Sequence, residues 1–221
     1  MPRADFEMNL TLVQEEIIQL SSMVEKAIYK SVDALKKRDV KASQQVIEED
    51  DLIDLKQQAL EERCIELIAL ESPIAGDLRI LISAMMIANE LERMGDYAEG
   101  IAKISVSMGN LPPLKPLIDI PRMADKAAVM LRDSTQAFIT RDVDLAHKVV
   151  ESDDEVDDLY DQVYRELLTY MLEEAGTIQR ATYLLWVSHD LERVADRATN
   201  IAERVIYLVT GQMVGNSALS N

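Results

Sequence analysis

An all-α fold is predicted for this 221-residue chain from three observations. Long segments carry apolar residues at three- and four-residue spacing, the period of one helix face. Chain-breakers are scarce: there are 7 Gly and 6 Pro, about half their usual combined share of roughly 12%. Aromatic residues make up only 5%, which leaves little for a sheet core. Hydrophobic residues at 48% are still enough to build a buried interior.

Six helices are expected. The first spans 5–36, and Asp39 then suits the N-cap of a second at 41–70. Ser72-Pro73 offers a cap followed by a first-turn proline for a third helix, 74–108. Gly109-Asn110 opens a segment holding Pro112, Pro113, Pro116 and Pro121, which divides the chain into similar halves. A fourth helix covers 119–140, and Asp142 caps a fifth at 144–174. Gly176 suits the turn before a sixth helix at 178–209, and Gly211 its stop. The expected organisation is a unit at 1–110, a Pro-rich linker at 111–117, a second unit at 118–211 and a loose tail at 212–221.

The two halves repeat each other. Arg38-Asp39-Val40 recurs as Arg141-Asp142-Val143, and Asp50-Asp51-Leu52-Ile53-Asp54 as Asp153-Asp154-Glu155-Val156-Asp157 at the same offset. Leu91-Glu92-Arg93 recurs as Leu191-Glu192-Arg193, Asp96 as Asp196, and Ile101-Ala102 as Ile201-Ala202, at an offset three residues shorter. The change falls where the second and third helices of each half join, a place where length can vary. Two tandem antiparallel three-helix bundles, related by internal duplication, follow. At 1.5 Å per residue their helices are about 40–50 Å long. Short connections make neighbours antiparallel, and the long flanks suit a homodimer or docking onto partners.

Charge narrows the partners. The formal net charge of −17 argues against nucleic acid and against direct docking on an anionic membrane. The longest mostly apolar stretch, Ile80 to Ala88, is about half the ~20 residues needed to span a bilayer. The N-terminus lacks a basic start followed by an apolar core. A single cysteine, Cys64, excludes an intramolecular disulfide and reads as a small buried filler. A cytoplasmic protein is expected.

The acids are not spread evenly. Glu48, Glu49, Asp50, Asp51 and Asp54 fall in one short run, and Glu151, Asp153, Asp154, Glu155, Asp157, Asp158 and Asp161 in another, with no base in either. Asp50 and Asp54 are four apart on helix two, as are Asp153 and Asp157 on helix five. Glu92 and Asp96 repeat the spacing on helix three, and Glu192 and Asp196 on helix six. Residues four apart share a helix face, where like charges repel unless neutralised. On a helical wheel Glu92, Asp96 and Glu99 form a stripe flanking the apolar side defined by Met94, Ala98 and Ile101. Acidic runs are usually solvated faces; recurrence on facing helices of both halves strengthens the case for metal sites beside that reading, since carboxylates suit Mg, Mn and Fe. Arg93 and Arg193 are left open, either pairing with acids of another helix or facing solvent. His147 reads as a surface residue, and His189 has no histidine counterpart, since Asn89 occupies its place.

Catalytic signals are missing. No His-Glu-x-x-His, Gly-x-Ser-x-Gly or Cys-x-x-Cys occurs. Gly95 and Gly100 have P-loop spacing, but Ile101 stands where lysine is required. The Glu-x-x-His element of di-iron bundles is absent, since Arg93 follows Glu90 and Ala195 follows Glu192 at the third position. The methionines and Trp186 read as core packing, and no enzyme is expected.

Leu91-Glu92-Arg93-Met94-Gly95-Asp96-Tyr97-Ala98 and Leu191-Glu192-Arg193-Val194-Ala195-Asp196-Arg197-Ala198-Thr199-Asn200-Ile201-Ala202 resemble the paired signature of the PhoU family. Pro73-Ile74-Ala75-Gly76-Asp77-Leu78-Arg79 and the acidic starts of helices two and five resemble it too. The resemblance covers about residues 6–209. It implies a homodimeric tendency and negative regulation of phosphate uptake. The implied role is an adaptor between the ATPase subunit of a phosphate ABC transporter and a sensor histidine kinase. It further implies multinuclear iron or zinc clusters at Asp50, Asp54, Glu92, Asp96, Asp153, Asp157, Glu192 and Asp196. Two positions depart from the signature: Gly100 replaces the Asn kept as Asn200, and Ala195 replaces the Gly kept as Gly95. The alternative reading is a metal-dependent enzyme or metal-storage bundle using the same carboxylates.

Overall fold

The turn between the first two helices is built twice. In the computed structural model, which describes residues 3–109 and 111–212, α1 (Arg3–Lys37) and α2 (Val40–Glu71) are joined through Arg38 and Asp39. Arg38 takes a left-handed conformation (φ 59°), and the Asp39 carboxylate accepts the backbone N–H of Lys41 and Ala42. Asp39 thereby satisfies two of the donors that a helix start leaves unpaired. The same solution joins α4 (Asp119–Thr140) to α5 (Val143–Glu173): Arg141 has φ 57°, and Asp142 accepts the Leu145 N–H at 2.9 Å. The repeated Arg-Asp-Val is therefore a tight helix-reversing turn.

α3 (Ala75–Met108) follows α2, and α6 (Ile178–Thr210) follows a short 3-10 turn at Ala175–Thr177 that contains Gly176. Gly211 ends α6 with φ +74°, as a stop residue should. Ser72 does not cap α3. It ends α2 in the left-handed region, its N–H bonded to Ile68 O, while Ile74 precedes α3 without a side-chain cap. The Ser72 hydroxyl is two positions too early to reach α3, and Asp77 supplies the favourable first-turn charge instead. Of the tail expected at 212–221, all but Gln212 lies outside the described residues.

Among the described residues there are six α-helices and no strand. α1, α2 and α3 pack as one antiparallel bundle and α4, α5 and α6 as the other. The bundles lie side by side, α3 against α6 and α1 against α4, and one continuous apolar core runs through both. Small residues, including Ala84, Ala88, Ala98, Ala195, Ala198 and Ala202, are buried along α3 and α6 and let these two axial helices come close. Across this seam Glu90 meets Asn200, Tyr97 meets Arg193 and Gly100 meets Asp190. The residue numbers of each pair add to the same total, so α3 and α6 run antiparallel. A pseudo-two-fold axis passes near Gly95 and Ala195. Between α1 and α4, Ser21 Oγ and Thr135 Oγ1 share a buried hydrogen bond of 3.0 Å, and Arg132 pairs with Glu25 at 2.8 Å.

Cys64 is fully buried in this core, as its sequence context suggests. Trp186 is not: it is 53% exposed and stacks edge-on against Tyr183. Its neighbours Leu184, Val187 and Leu191 define the buried stripe of α6, and at 100° per residue Trp186 is turned off that stripe. Met94, Met123 and Met130 are core residues, whereas Met8 and Met86 are exposed. No described helix is long and apolar enough to cross a membrane.

Candidate metal centre

Core packing of α2 against α3 aims four sequence-selected acids at one another. Ile53 is buried between Asp50 and Asp54, while Leu91, Met94 and Gly95 are buried around Glu92 and Asp96. Burying the first set turns the second toward the seam between the two helices. Gly95 sets the closeness of approach: a Cβ there would lie 3.1 Å from Ile53 Cγ2 and 3.2 Å from Asp50 Oδ1. A side chain at this position would make the Ile53 side chain or the Asp50 carboxylate give way by a few tenths of an ångström.

Two triads result. Asp50, Asp96 and Glu99 place carboxylate oxygens within 4.8 Å of one another, and so do Asp54, Glu92 and Asp96. Asp96 belongs to both, so the two triads share one carboxylate. Glu99 belongs to the acidic stripe on the helical wheel, but recurrence between the halves does not single it out, because its repeat counterpart is Thr199.

The electrostatics are those of an under-neutralised cluster. Asp50 is pushed up to about 7, first by burial, then by Glu99, Asp54 and Asp96, with Lys103 pulling the other way. Glu92 is raised by burial and then by Asp96 and Asp54. Asp96 is raised by burial and then by Asp54 and Glu99. Asp54 Oδ1 is buried without a hydrogen-bond partner. The available cations are few: Lys103 pairs with Glu99 at 2.5 Å, and Arg93 is exposed. Close carboxylates, a buried unpaired oxygen and an all-oxygen donor set fit a hard or borderline cation.

The second bundle gathers the equivalent acids differently. Asp153 is pushed up to about 6 by burial, then by Asp157 and Asp196, so these groups are near neighbours. Asp157 is raised by burial and then by Asp196, and Glu192 by burial and then by Asp196. Yet among the described residues Asp153, Asp157, Glu192 and Asp196 do not form a triad as close as those of the first bundle. Four differences explain this. Arg193 pairs with Asp196 at 2.6 Å, which also settles where that arginine points. His189 Nδ1 lies 3.2 Å from Glu192 Oε2 and its ring sits beside Tyr160. Thr199 replaces Glu99 and supplies a hydroxyl near Asp153 in place of a carboxylate. Ala195 also places a Cβ where Gly95 has none. His147 is exposed, away from this cluster on the first turns of α5.

Known proteins are similar to this chain along most of its length. The PhoU domain model matches twice, over residues 17–105 and 120–205, one match per bundle. A phosphate-specific transport system accessory protein PhoU homolog from Aquifex aeolicus is 45% identical over 201 residues, 91% of either chain. A homolog of the same description from Clostridium acetobutylicum is 38% identical over 97% of this chain and 98% of its own. Among solved structures, PhoU from Pseudomonas aeruginosa superposes with a TM-score of 0.89 at 34% identity, covering 94% of this chain and all of that one. The phosphate transport system regulatory protein PhoU from Streptococcus pneumoniae gives 0.88 at 31% identity, covering 95% of this chain and 99% of its own. With the duplicated signature, the paired bundles and these matches in agreement, the chain belongs to the PhoU domain family.

Proposed function

We propose that this protein regulates phosphate transport, restraining uptake and the starvation response when phosphate is plentiful. The observation that carries the reading is family membership along nearly the whole chain, with relatives described as accessory or regulatory proteins of phosphate transport. In this reading it is a cytoplasmic adaptor between the ATPase subunit of the transporter and a sensor histidine kinase. Long outer helices suit that task, with Leu55, Leu70 and Leu172 exposed on α2 and α5 as contact points for a homodimer or a partner. Cations bound by Asp50, Asp54, Glu92, Asp96 and Glu99, and more weakly by Asp153, Asp157, Glu192 and Asp196, would neutralise the acidic faces. Iron or zinc clusters are the favoured occupants, with magnesium or manganese as hard-cation alternatives.

Deletion in the host tests the regulatory reading. The expected result is phosphate uptake and alkaline phosphatase expression that no longer shut off at high phosphate. Unchanged repression would overturn it, and loss of a redox or hydrolase activity instead would favour a metal-dependent enzyme. Capture of the transporter ATPase or the kinase by the purified protein tests the adaptor step separately.

A further inference from the structure

The Pro-rich segment does more than connect the bundles. Residues 111–117 arch over the end of α1, the end of α3 and the start of α6, and enclose a half-open cavity of about 560 Å³. That is within the range of small-molecule sites, roughly 300–1,000 Å³. Its walls are apolar, chiefly Leu35, Met108, Leu114, Leu117 and Leu184. Its charged lining residues are Lys36, Arg38 and Lys115, with no acid among them. In a chain with 40 acids and 23 bases, such a lining is a selective feature of this one end.

The cavity is held in shape by its own polar contacts. Arg38 Nη2 donates to the carbonyls of Gly109 and Leu111, and Arg180 donates to that of Pro112 at 3.3 Å. Both Arg38 bonds use one nitrogen, so its guanidinium keeps donor capacity for an anion. The Lys115 side chain is only 8% exposed, and its partner Glu166, on α5, lies outside the lining. The pseudo-two-fold mate of this end, around Arg79, Arg141 and Leu208, has only a depression of about 260 Å³. The duplicated helices alone therefore do not make the cavity.

We propose that this cavity binds a small amphipathic anion, with a carboxylate or phosphate head at Lys36, Arg38 and Lys115 and an acyl- or aryl-sized body against the leucines. A preformed apolar chamber gains from excluding the body from water, and the cations select the sign of the head. Ligand occupancy would brace the linker against both bundles and so couple their relative position to a small molecule.

Isothermal titration calorimetry on the full chain tests this with octanoate, octyl phosphate, octyltrimethylammonium and inorganic phosphate, all below micellar concentrations. Expected are one-to-one binding of octanoate or octyl phosphate and no binding of the octyl cation or of phosphate alone. The preferred octyl anion identifies the head group. Lys36→Gln, at an exposed helix end, should weaken binding at least tenfold, and Lys36→Arg should restore it. Leu114→Trp should abolish binding by filling the chamber, with circular dichroism confirming that each variant is folded. Binding of the octyl cation as tight as that of the anions, insensitivity to Lys36→Gln, or no binding by either anion would each overturn the proposal. The last result would leave the cavity as a seat for the linker only.

Discussion

Glu99 and Thr199 hold the same place in the two repeats, and only Glu99 joins a close carboxylate triad. Thr199 instead sets a hydroxyl near Asp153. If both clusters bind cations, the first should bind more tightly. In Mn²⁺ or Zn²⁺ titrations of metal-stripped protein, Glu99→Gln should weaken the tighter phase by tenfold or more. Thr199→Glu should strengthen the weaker phase. Equal effects of Asp96→Asn and Asp196→Asn on both phases would contradict this asymmetry.

Metal-stripped protein should lose stability as pH rises through the window from about 4 to about 7. The folded-state pKa of Asp50 is raised from 3.8 to about 7, so between those values the native state holds a proton that the unfolded state has released. Stability then falls with rising pH. Because Asp50 is partly solvated, the contribution is discounted to about 1 kcal/mol, a midpoint shift of about 2–4 °C for a chain of this size. Asp50→Asn should flatten the decline between about pH 4 and about pH 7, as should saturation with a divalent cation. A thermal melt series in EDTA, with and without added metal, reads both.

Glu90 and Asp190 are equivalents across the pseudo-two-fold seam, but their surroundings differ. Glu90 accepts from Arg197 Nη1 and Asn200 Nδ2, each at 3.2 Å. Asp190 faces Gly100, where a Cβ would stand 3.1 Å from its Oδ2, and burial alone pushes it up to about 7. A half-buried carboxylate without these partners is destabilising, by about 1–3 kcal/mol when fully desolvated. Asp190→Asn should therefore raise the urea midpoint, with a gain near 1 kcal/mol at pH 8 that shrinks toward pH 5 as the native carboxyl protonates. Glu90→Gln should be destabilising at pH 8, because Arg197 loses its charged partner.

Cys64 should resist alkylation. Its thiol is fully buried and is pushed up to about 12 by burial and then by Glu16, so little reactive thiolate forms at neutral pH. Iodoacetamide labelling at pH 8, followed by mass spectrometry, should be slow in native buffer and fast in denaturant. Rapid native labelling would mean that α2 opens locally.

Much of the fold was legible because its signals are local. Asp39 and Asp142 mark helix starts through side-chain oxygens that reach N–H groups two or three residues on. The apolar periodicity of α3 and α6 marks their buried faces independently of what covers them. Ser72 misled because a capping residue and a proline in sequence do not fix where the backbone leaves the left-handed region. Trp186 misled because helical spacing alone does not say which angular position faces the core, and Trp186 is turned off the stripe of Leu184 and Val187.

By itself, the sequence determined the helices, the duplication and the eight acids whose spacing recurs in both halves. These depend on residues within a few turns of one another, or on two copies of one pattern. What tertiary structure decided was how the copies differ. Packing α3 on α6 about the Gly95–Ala195 axis pairs Arg193 with Tyr97 and leaves Asp190 opposite Gly100. Packing α2 on α3 brings Glu99 in beside Asp50 and Asp96. Each is a contact between residues far apart in the chain, set by helix separation and rotation, which the close approach at small side chains controls and helical periodicity does not encode.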